Sequence, residues 1–428
     1  MNIKKIFQNV KKEIERKKLV YILLAVLFIF HLFFRFYELE KRAQFTWDQV
    51  DNAWNAKNII INGEYPLTGM PAKGNSSVTI GPAYYYFVTF FYFLTDLDPI
   101  ASPIIAGVVS IFSFFVLFLA ARKVFNEYVA LIAIFINTFS NYLIEIDRVQ
   151  WPVNFIAPIS LLIYLSILQI IKGNLKYILL LAFLLGVSLH IHFTSIFYVL
   201  IVILSLMLFP RKKSTILYVF YSIPLFSVWL ISFFLSLSSK GSSLNIVSFL
   251  SENSVGLHLR RVIQVADVAF LESSLIFNEK IPYFLKYLSL PLFVLVYYLR
   301  LRSKSFPTIY VSVIWFLVPW VGLSMFKGEL TPYYFSITKY IVILLISYVI
   351  YEAIRFRKKI FTPFVGVLAM IFLIANISAF STYKTDGMDK LKRDAYDDFK
   401  HSRGNEFTYG SAKTYLYYFY EYRAYGKK

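Results

Sequence analysis

The chain has no cysteine anywhere in its 428 residues. Disulfides, a thiolate nucleophile and a Cys-based metal site are all excluded. A cleavable leader is not expected either. Seven basic residues precede Leu19 and an apolar run follows to about Tyr37, but the run is too long for a signal h-region. "RFYELEKRAQF" after it offers no small-x-small site. An uncleaved first span, with its N-terminus inside, is expected. No repeat is visible, direct or inverted, which argues weakly against a carrier built from inverted halves. Acids are also scarce, 25 against 44 Lys and Arg, for a net charge of +19. Nucleic acid is not the expected partner, because the bases gather in short loops between apolar runs, as membrane topology requires.

What the chain has in excess is apolar surface: 58% hydrophobic and 19% aromatic residues. Soluble domains average about 45–50% apolar. Long apolar runs with few charges mark transmembrane helices, and this chain is expected to be an all-α polytopic membrane protein. About eleven spans are drawn, near 19–37, 103–121, 128–144, 153–171, 176–190, 192–209, 215–237, 283–300, 308–326, 336–353 and 361–380. The stretch "TIGPAYYYFVTFFYFL", 79–94, decides the topology. If it does not span, Arg122-Lys123, Lys172/Lys176, Arg211-Lys212-Lys213, Arg300/Arg302/Lys304 and Arg355/Arg357/Lys358/Lys359 all join the N-terminal cluster inside. The positive-inside rule selects that choice, and the stretch becomes an interfacial or re-entrant helix. The outer face then carries a first loop (38–102), a second (145–152), a long loop (238–282), a short one (327–335) and a charged, tyrosine-rich tail (381–428). The transmembrane part, 1–380, is the expected catalytic domain.

Polar residues collect at that outer face. In "FTWDQVDNAW" and beyond, Asp48, Asp51, Asn55, Asn58 and Asn62 recur in steps of 3, 4, 3 and 4, one stripe of a helix. Val50, Trp54 and Ile61 fall on another side. An amphipathic helix lying on the membrane is expected, its acids turned to water or a cavity, with Gly63 ending it. A solvated face without a role fits the stripe equally. "EIDRVQWPVNF" sets Asp147 and Arg148 where the third span leaves the membrane, followed by Trp151 and Asn154. Charges at that depth are costly and often functional; the bland alternative pairs Asp147 with Arg148 or a neighbour. "GVSLHIHFTS" places His190 and His192 at a turn, but two residues apart on a helix they share no face, so a two-His metal site is rejected. "FKGELTPYYFSITKY" adds Lys327, Glu329, Tyr333, Tyr334 and Lys339, and the long loop adds Arg260-Arg261. Acids accept protons from hydroxyls, and Arg holds phosphate bidentately. Together they suit group transfer from a phosphate-linked donor to a hydroxyl beside the lipid.

The ordered series "WDQVD", "GEYPLTG", "IGPAYYYF", "LDPIA", "DRVQWPVNFIAP", "GVSLHIHFTS" and "TPYYF", over roughly residues 20 to 350, resembles bacterial polytopic glycosyltransferases related to protein O-mannosyltransferases. These are the GT-C superfamily, with its family 39-type and RgtA/B/C/D-like members. The resemblance implies a GT-C-like fold with interfacial helices in the first outer loop. It implies a polyprenyl-phosphate sugar donor and inversion at the anomeric centre. Asp48 would be the general base and Asp51 a supporting acid. Arg148, Trp151 and Asn154 would line the site, joined by His192, Tyr333 and Tyr334; Asp147 and Arg260-Arg261 are further substrate-binding candidates from their position at the outer face. Two positions depart from the family pattern: the common Asp-Glu pair is Asp48-Gln49, and Trp151 is followed by Pro152-Val153-Asn154. No cofactor is expected, a divalent cation being left open. The expected partners are a lipid-linked sugar donor, an acceptor glycan, lipid or protein, and the membrane itself. A transporter or flippase of a lipid-linked saccharide is the second reading, and an anchoring protein the third. A carrier places ionisable residues or broken helices near the midplane, whereas charges here concentrate at span ends.

Overall fold

The structure is a computed structural model and describes residues 17–71, 78–209, 213–240, 252–277, 298, 306–382, 387–401 and 411–426. Among the described residues the secondary structure is helical, with two isolated bridges, Pro71–Thr79 and Ser254–Phe326. Seven segments are long and apolar enough to cross a membrane: Lys18–Phe36, Ala101–Val124, Pro152–Ile171, Thr215–Leu235, Phe306–Ser324, Pro332–Phe356 and Lys358–Thr382. Shorter apolar helices at Glu127–Phe139, Tyr177–Ser188 and Phe193–Met207 take up three more of the expected spans. The expected span 283–300, with Arg300, Arg302 and Lys304, lies outside the described residues, as do Arg211 and Lys212.

Helices of six or more residues are numbered from the first span. They are α1 (Lys18–Phe36), α2 (Trp47–Lys57), α3 (Ala83–Leu94), α4 (Ala101–Val124), α5 (Glu127–Phe139), α6 (Asn141–Ile146), α7 (Ile156–Ile171), α8 (Tyr177–Ser188) and α9 (Ile196–Met207). There follow α10 (Thr215–Ser227), α11 (Ile231–Lys240), α12 (Leu259–Leu275), α13 (Phe306–Ser324), α14 (Ser336–Phe356), α15 (Lys358–Thr382), α16 (Met388–Lys400) and α17 (Ala412–Tyr425).

Contacts sort the loops into two ends. At one, Lys17 pairs with Glu127 at 2.9 Å, Arg122 donates to the Tyr21 hydroxyl and Lys123 to that of Tyr177, and Tyr128 stacks on Tyr351. The described basic clusters share this end. At the other, Gln49 donates to the Gln150 carbonyl, Gly81 N–H to the Leu189 carbonyl, and Lys392 reaches Glu40 and Asp98. Both ends of α3 belong to this second group, since Ala83 N–H meets His190 and Asp96, just past α3, meets Arg423. Twelve residues make about 18 Å of helix, short of the roughly 30 Å of a hydrocarbon core.

Two arginines hold this second end. Helix α5 stops at Ser140, whose extended backbone (ψ 116°) separates it from α6. That break leaves carbonyls without intrahelical donors. Arg35, fully buried in the last turn of α1, donates to two of them, Thr138 O at 2.8 Å and Asn137 O at 2.7 Å. It also grips Asp147 at 2.8 and 3.1 Å. The return contact comes from Arg148, which donates to Phe34 O, Tyr37 O and Glu38 O at the end of α1. Each arginine thus caps the other's helix.

Helix α2 departs from the expectation that it lies on lipid. Val50, Ala53, Trp54 and Ala56 are buried against protein, in one cluster with Phe45, Val88, Tyr92 and Tyr415. The cause is the tail, which folds into the α16 and α17 helices. Tyr415 and Tyr418 meet the Trp54 ring at 5.2 and 5.3 Å, and the Tyr415 hydroxyl donates to Leu97 O. Residues expected to face acyl chains therefore face tyrosines.

Breaking a buried pair from one side leaves an uncompensated charge, at a cost of about 3–5 kcal/mol. Arg35→Ala is expected to lower the detergent-solubilised melting temperature more than the Arg35→Ala/Asp147→Asn double variant does. Equal losses in the two variants would show that carbonyl capping, not the ion pair, carries the effect.

Candidate functional site

The site forms on the face of α2 that carries Asp48 and Asp51. Thr46 and Gln49 make the capping box that starts the helix, Thr46 N–H donating to the Gln49 side-chain oxygen at 3.0 Å. The Gln49 amide also reaches Gln150 O at 2.8 Å, so the residue that departs from the family's acid docks α2 onto the second loop. Asp48 beside it is left half-buried next to Trp151, whose indole favours the charged carboxylate. Asp51, one turn on, accepts from the Tyr85 hydroxyl at 2.9 Å.

From Trp151 the cluster continues as an aromatic wall. Trp151 packs on Tyr333 at 5.7 Å, Tyr333 on Tyr334 at 4.8 Å, and His192 lies edge-on to Tyr333 at 6.1 Å. Asp48, Asp51, Trp151, His192, Tyr333 and Tyr334, from four separate segments, are thus one connected group. In the turn between α8 and α9, burial pushes the His192 ring down to about 4. It is neutral at physiological pH, with Nδ1 engaged by Thr194 N–H and its hydroxyl.

Four expected site residues serve the scaffold instead. Asp147 is taken by Arg35 rather than by Arg148. Arg148 donates through its two terminal nitrogens to three carbonyls at the end of α1. Asn154 donates to Ile146 O and Val149 O, holding the second loop to itself. Arg261 donates to Phe326 O and Gly328 O, tying α12 to the loop before Tyr333. The reason is common to all four: loops that turn at membrane depth have orphan carbonyls, and these side chains are the available donors or, for Asp147, the counter-charge. Of the three expected arginines, Arg148, Arg260 and Arg261, only Arg260 is exposed.

Several contributors were missed. Arg35 ends an apolar run, and an arginine at that depth is itself a signal. Tyr85 lay inside the quoted "IGPAYYYF" without a role. Gly81 of the same motif is required because a Cβ there would sit 2.1 Å from His190 Nδ1. That histidine accepts from Ala83 N–H through Nδ1 and contacts Trp229 O through Nε2 at 2.7 Å, which makes it a structural brace. Glu272 of the long loop pairs with Lys339 at 3.4 Å, both buried, and accepts from Tyr142. No sequence pattern links those three.

No protein-family model and no curated protein matches the sequence. Solved structures do match. ArnT from Cupriavidus metallidurans bound to undecaprenyl phosphate superposes with a TM-score of 0.56 at 12% identity, over 94% of this chain and 76% of ArnT. The archaeal oligosaccharyltransferase AglB from Archaeoglobus fulgidus, in complex with an inhibitory peptide and a dolichol-phosphate, gives 0.56 at 13%, over 94% of this chain and 60% of AglB. The same oligosaccharyltransferase with Zn and sulfate gives 0.55 at 14%, over 91% of this chain and 58% of that one. The fold is of the GT-C type. Within that GT-C fold the chain spans about three quarters of ArnT and under two thirds of the oligosaccharyltransferase.

Burial, then the neighbouring Asp51, raises the Asp48 carboxyl above its ordinary value, against the Trp151 hydrogen bond; burial likewise raises Asp51 against Tyr85. A raised carboxyl holds its proton more tightly folded than unfolded. Its stabilising contribution is complete below the ordinary carboxylate range and is lost as pH climbs through the folded value. At neutral pH both carboxylates therefore weigh against the fold. Asp51→Asn, which keeps an acceptor for Tyr85, is expected to melt higher than the wild type at neutral pH. The gap should close at about pH 3, below the ordinary aspartate value. A gap that widens on acidification would reverse the sign of the shift.

Proposed function

We propose that the protein is a membrane glycosyltransferase that moves a sugar from a polyprenyl-phosphate donor to an acceptor hydroxyl at the extracytoplasmic surface. The observation that carries the reading is the pair of half-buried aspartates on α2, walled by Trp151, Tyr333, Tyr334 and His192, at the end of a GT-C bundle opposite its basic loops. Under the positive-inside rule the basic end is cytoplasmic and the site faces out.

In the reaction the acceptor oxygen attacks the anomeric carbon, the bond from that carbon to the phosphate oxygen breaks, and the lipid phosphate leaves with the bonding pair. The acceptor proton passes to Asp48. A single displacement inverts the anomeric centre. Asp48 suits the base role because its raised pKa brings it toward the working pH, where a general base is most effective. Asp51 sustains that shift through its charge, and Tyr85 holds Asp51 in place. Arg260, exposed and with no carboxylate partner among the described residues, is the proposed contact for the donor phosphate. The aromatic wall offers faces to sugar rings. No group of three or more metal-ligating side chains occurs among the described residues, and the steps above use side chains alone.

A carrier for a lipid-linked saccharide remains the competing reading, and it needs ionisable groups at mid-span. Here Arg35, Asp147, Glu272 and Lys339 are paired at the site end of the helices instead. Proteoliposomes supplied with a synthetic polyprenyl-phosphate sugar and a hydroxyl acceptor separate the two. Product formation supports the enzyme, and vectorial movement of intact donor without product supports the carrier.

With matched donor and acceptor, Asp48→Asn is expected to lower turnover about 10²–10⁴-fold, the usual contribution of a general base, with donor binding near wild type. Asp51→Asn should cost less. Full activity in Asp48→Asn with a dead Asp51→Asn would exchange the two roles. For orientation, an impermeant amine reagent applied to intact cells is expected to label Lys413 on α17 and spare Lys213. The opposite pattern would invert the bundle.

A further inference from the structure

We infer that the crevice among α7, α8, α9 and α10, at the basic end of the bundle, binds an anionic diacyl lipid. This crevice is remote from the aspartate site. Helix α7 begins beside the Trp151 loop and ends at Lys172, and its sixteen residues span about 24 Å. The crevice holds about 570 Å³, within the range of pockets that enclose a small ligand. Its walls are aliphatic, among them Ile170, Leu181, Leu185, Val202 and Leu206. No acid lines it.

The mouth differs in kind from the walls. Lys172 lines it. Lys176 starts α8, and Lys213 lies two residues before Thr215, another lining residue. All three lysines are exposed, and none has a carboxylate partner among the described residues. Gly173, at φ +90°, turns the chain at the rim without a side chain to narrow it. Below the rim, Ile203, Met207 and Val219 are exposed lining residues on the lipid side. An apolar slot with Lys172 at its mouth and Lys176 and Lys213 adjacent in the chain to its lining residues, none with a carboxylate partner among the described residues, is complementary to acyl chains under an anionic headgroup. Basic pockets between membrane helices hold anionic lipids on the same physical ground. A neutral lipid would fill the slot but leave the lysines unmatched.

The test uses the full chain purified into mixed micelles and exchanged with phosphatidylglycerol or phosphatidylcholine of identical acyl chains, with bound lipid read by native mass spectrometry. One phosphatidylglycerol retained in preference to phosphatidylcholine is the expected result. The Lys172→Gln/Lys176→Gln/Lys213→Gln variant, altered only at exposed positions, should lose that preference by about five-fold per lysine. Val202→Trp should fill the slot and abolish retention of both lipids, while Val367→Trp, on the exposed face of α15, should leave it unchanged. Equal retention of the two lipids, an undiminished preference in the triple variant, or displacement of phosphatidylglycerol by added polyprenyl phosphate would overturn the assignment. None of these readouts depends on sugar transfer, so failure here leaves the proposed reaction standing, and the converse holds.

Discussion

The site depends on the exchange of two arginines between the first span and the second loop. A helix that ends inside a membrane bundle strands carbonyl oxygens where water is scarce. Here two such ends lie side by side, at the exit of α1 and at the Ser140 break between α5 and α6. Arg35 serves the second and Arg148 the first, so neither helix end is satisfied unless the two are docked. Asp147 supplies the counter-charge that makes a buried guanidinium tolerable. Because Arg148 precedes Trp151 by three residues, the same exchange sets the indole against Asp48. The Trp151 side of the candidate site is thus placed by bonds made on the opposite side of the loop.

Helix α2 is held from both sides in a comparable way. Gln49 pins its first turn to the second loop, and the tyrosines of α17 press on Trp54 from behind. Tyr85 reaches Asp51 from α3. The two aspartates therefore stand on an element with little freedom to move away from its neighbours. Burial raises both carboxyls, and the stability lost there is offset by the apolar packing of Val50, Ala53, Trp54 and Ala56.

The two ends of the bundle do different work. At the site end, Arg35–Asp147 and Lys339–Glu272 are buried ion pairs, aromatic rings are clustered and the loops interlock. At the basic end, lysines are exposed and unpaired above an apolar slot.

Much was legible in the sequence. Apolar run length marks a membrane-spanning helix because hydrocarbon thickness sets how many residues are needed. The 3-4-3-4 stripe put Asp48 and Asp51 on one face because helical pitch does so in any context. Trp151, His192, Tyr333 and Tyr334 were legible as members of one membrane end. What the sequence could not carry was partnership. Whether Asp147 answers Arg148 beside it or Arg35, more than a hundred residues earlier, depends on which helices pack together. Whether the apolar side of α2 meets lipid or Tyr415 depends on where the tail docks. Composition and periodicity are local and survive any arrangement of the spans. The division of the polar residues into a cluster around Asp48 and a cross-braced group around Arg35 arises only when separate spans bring their unsatisfied carbonyls and charges within hydrogen-bonding distance, and tertiary structure alone decided it.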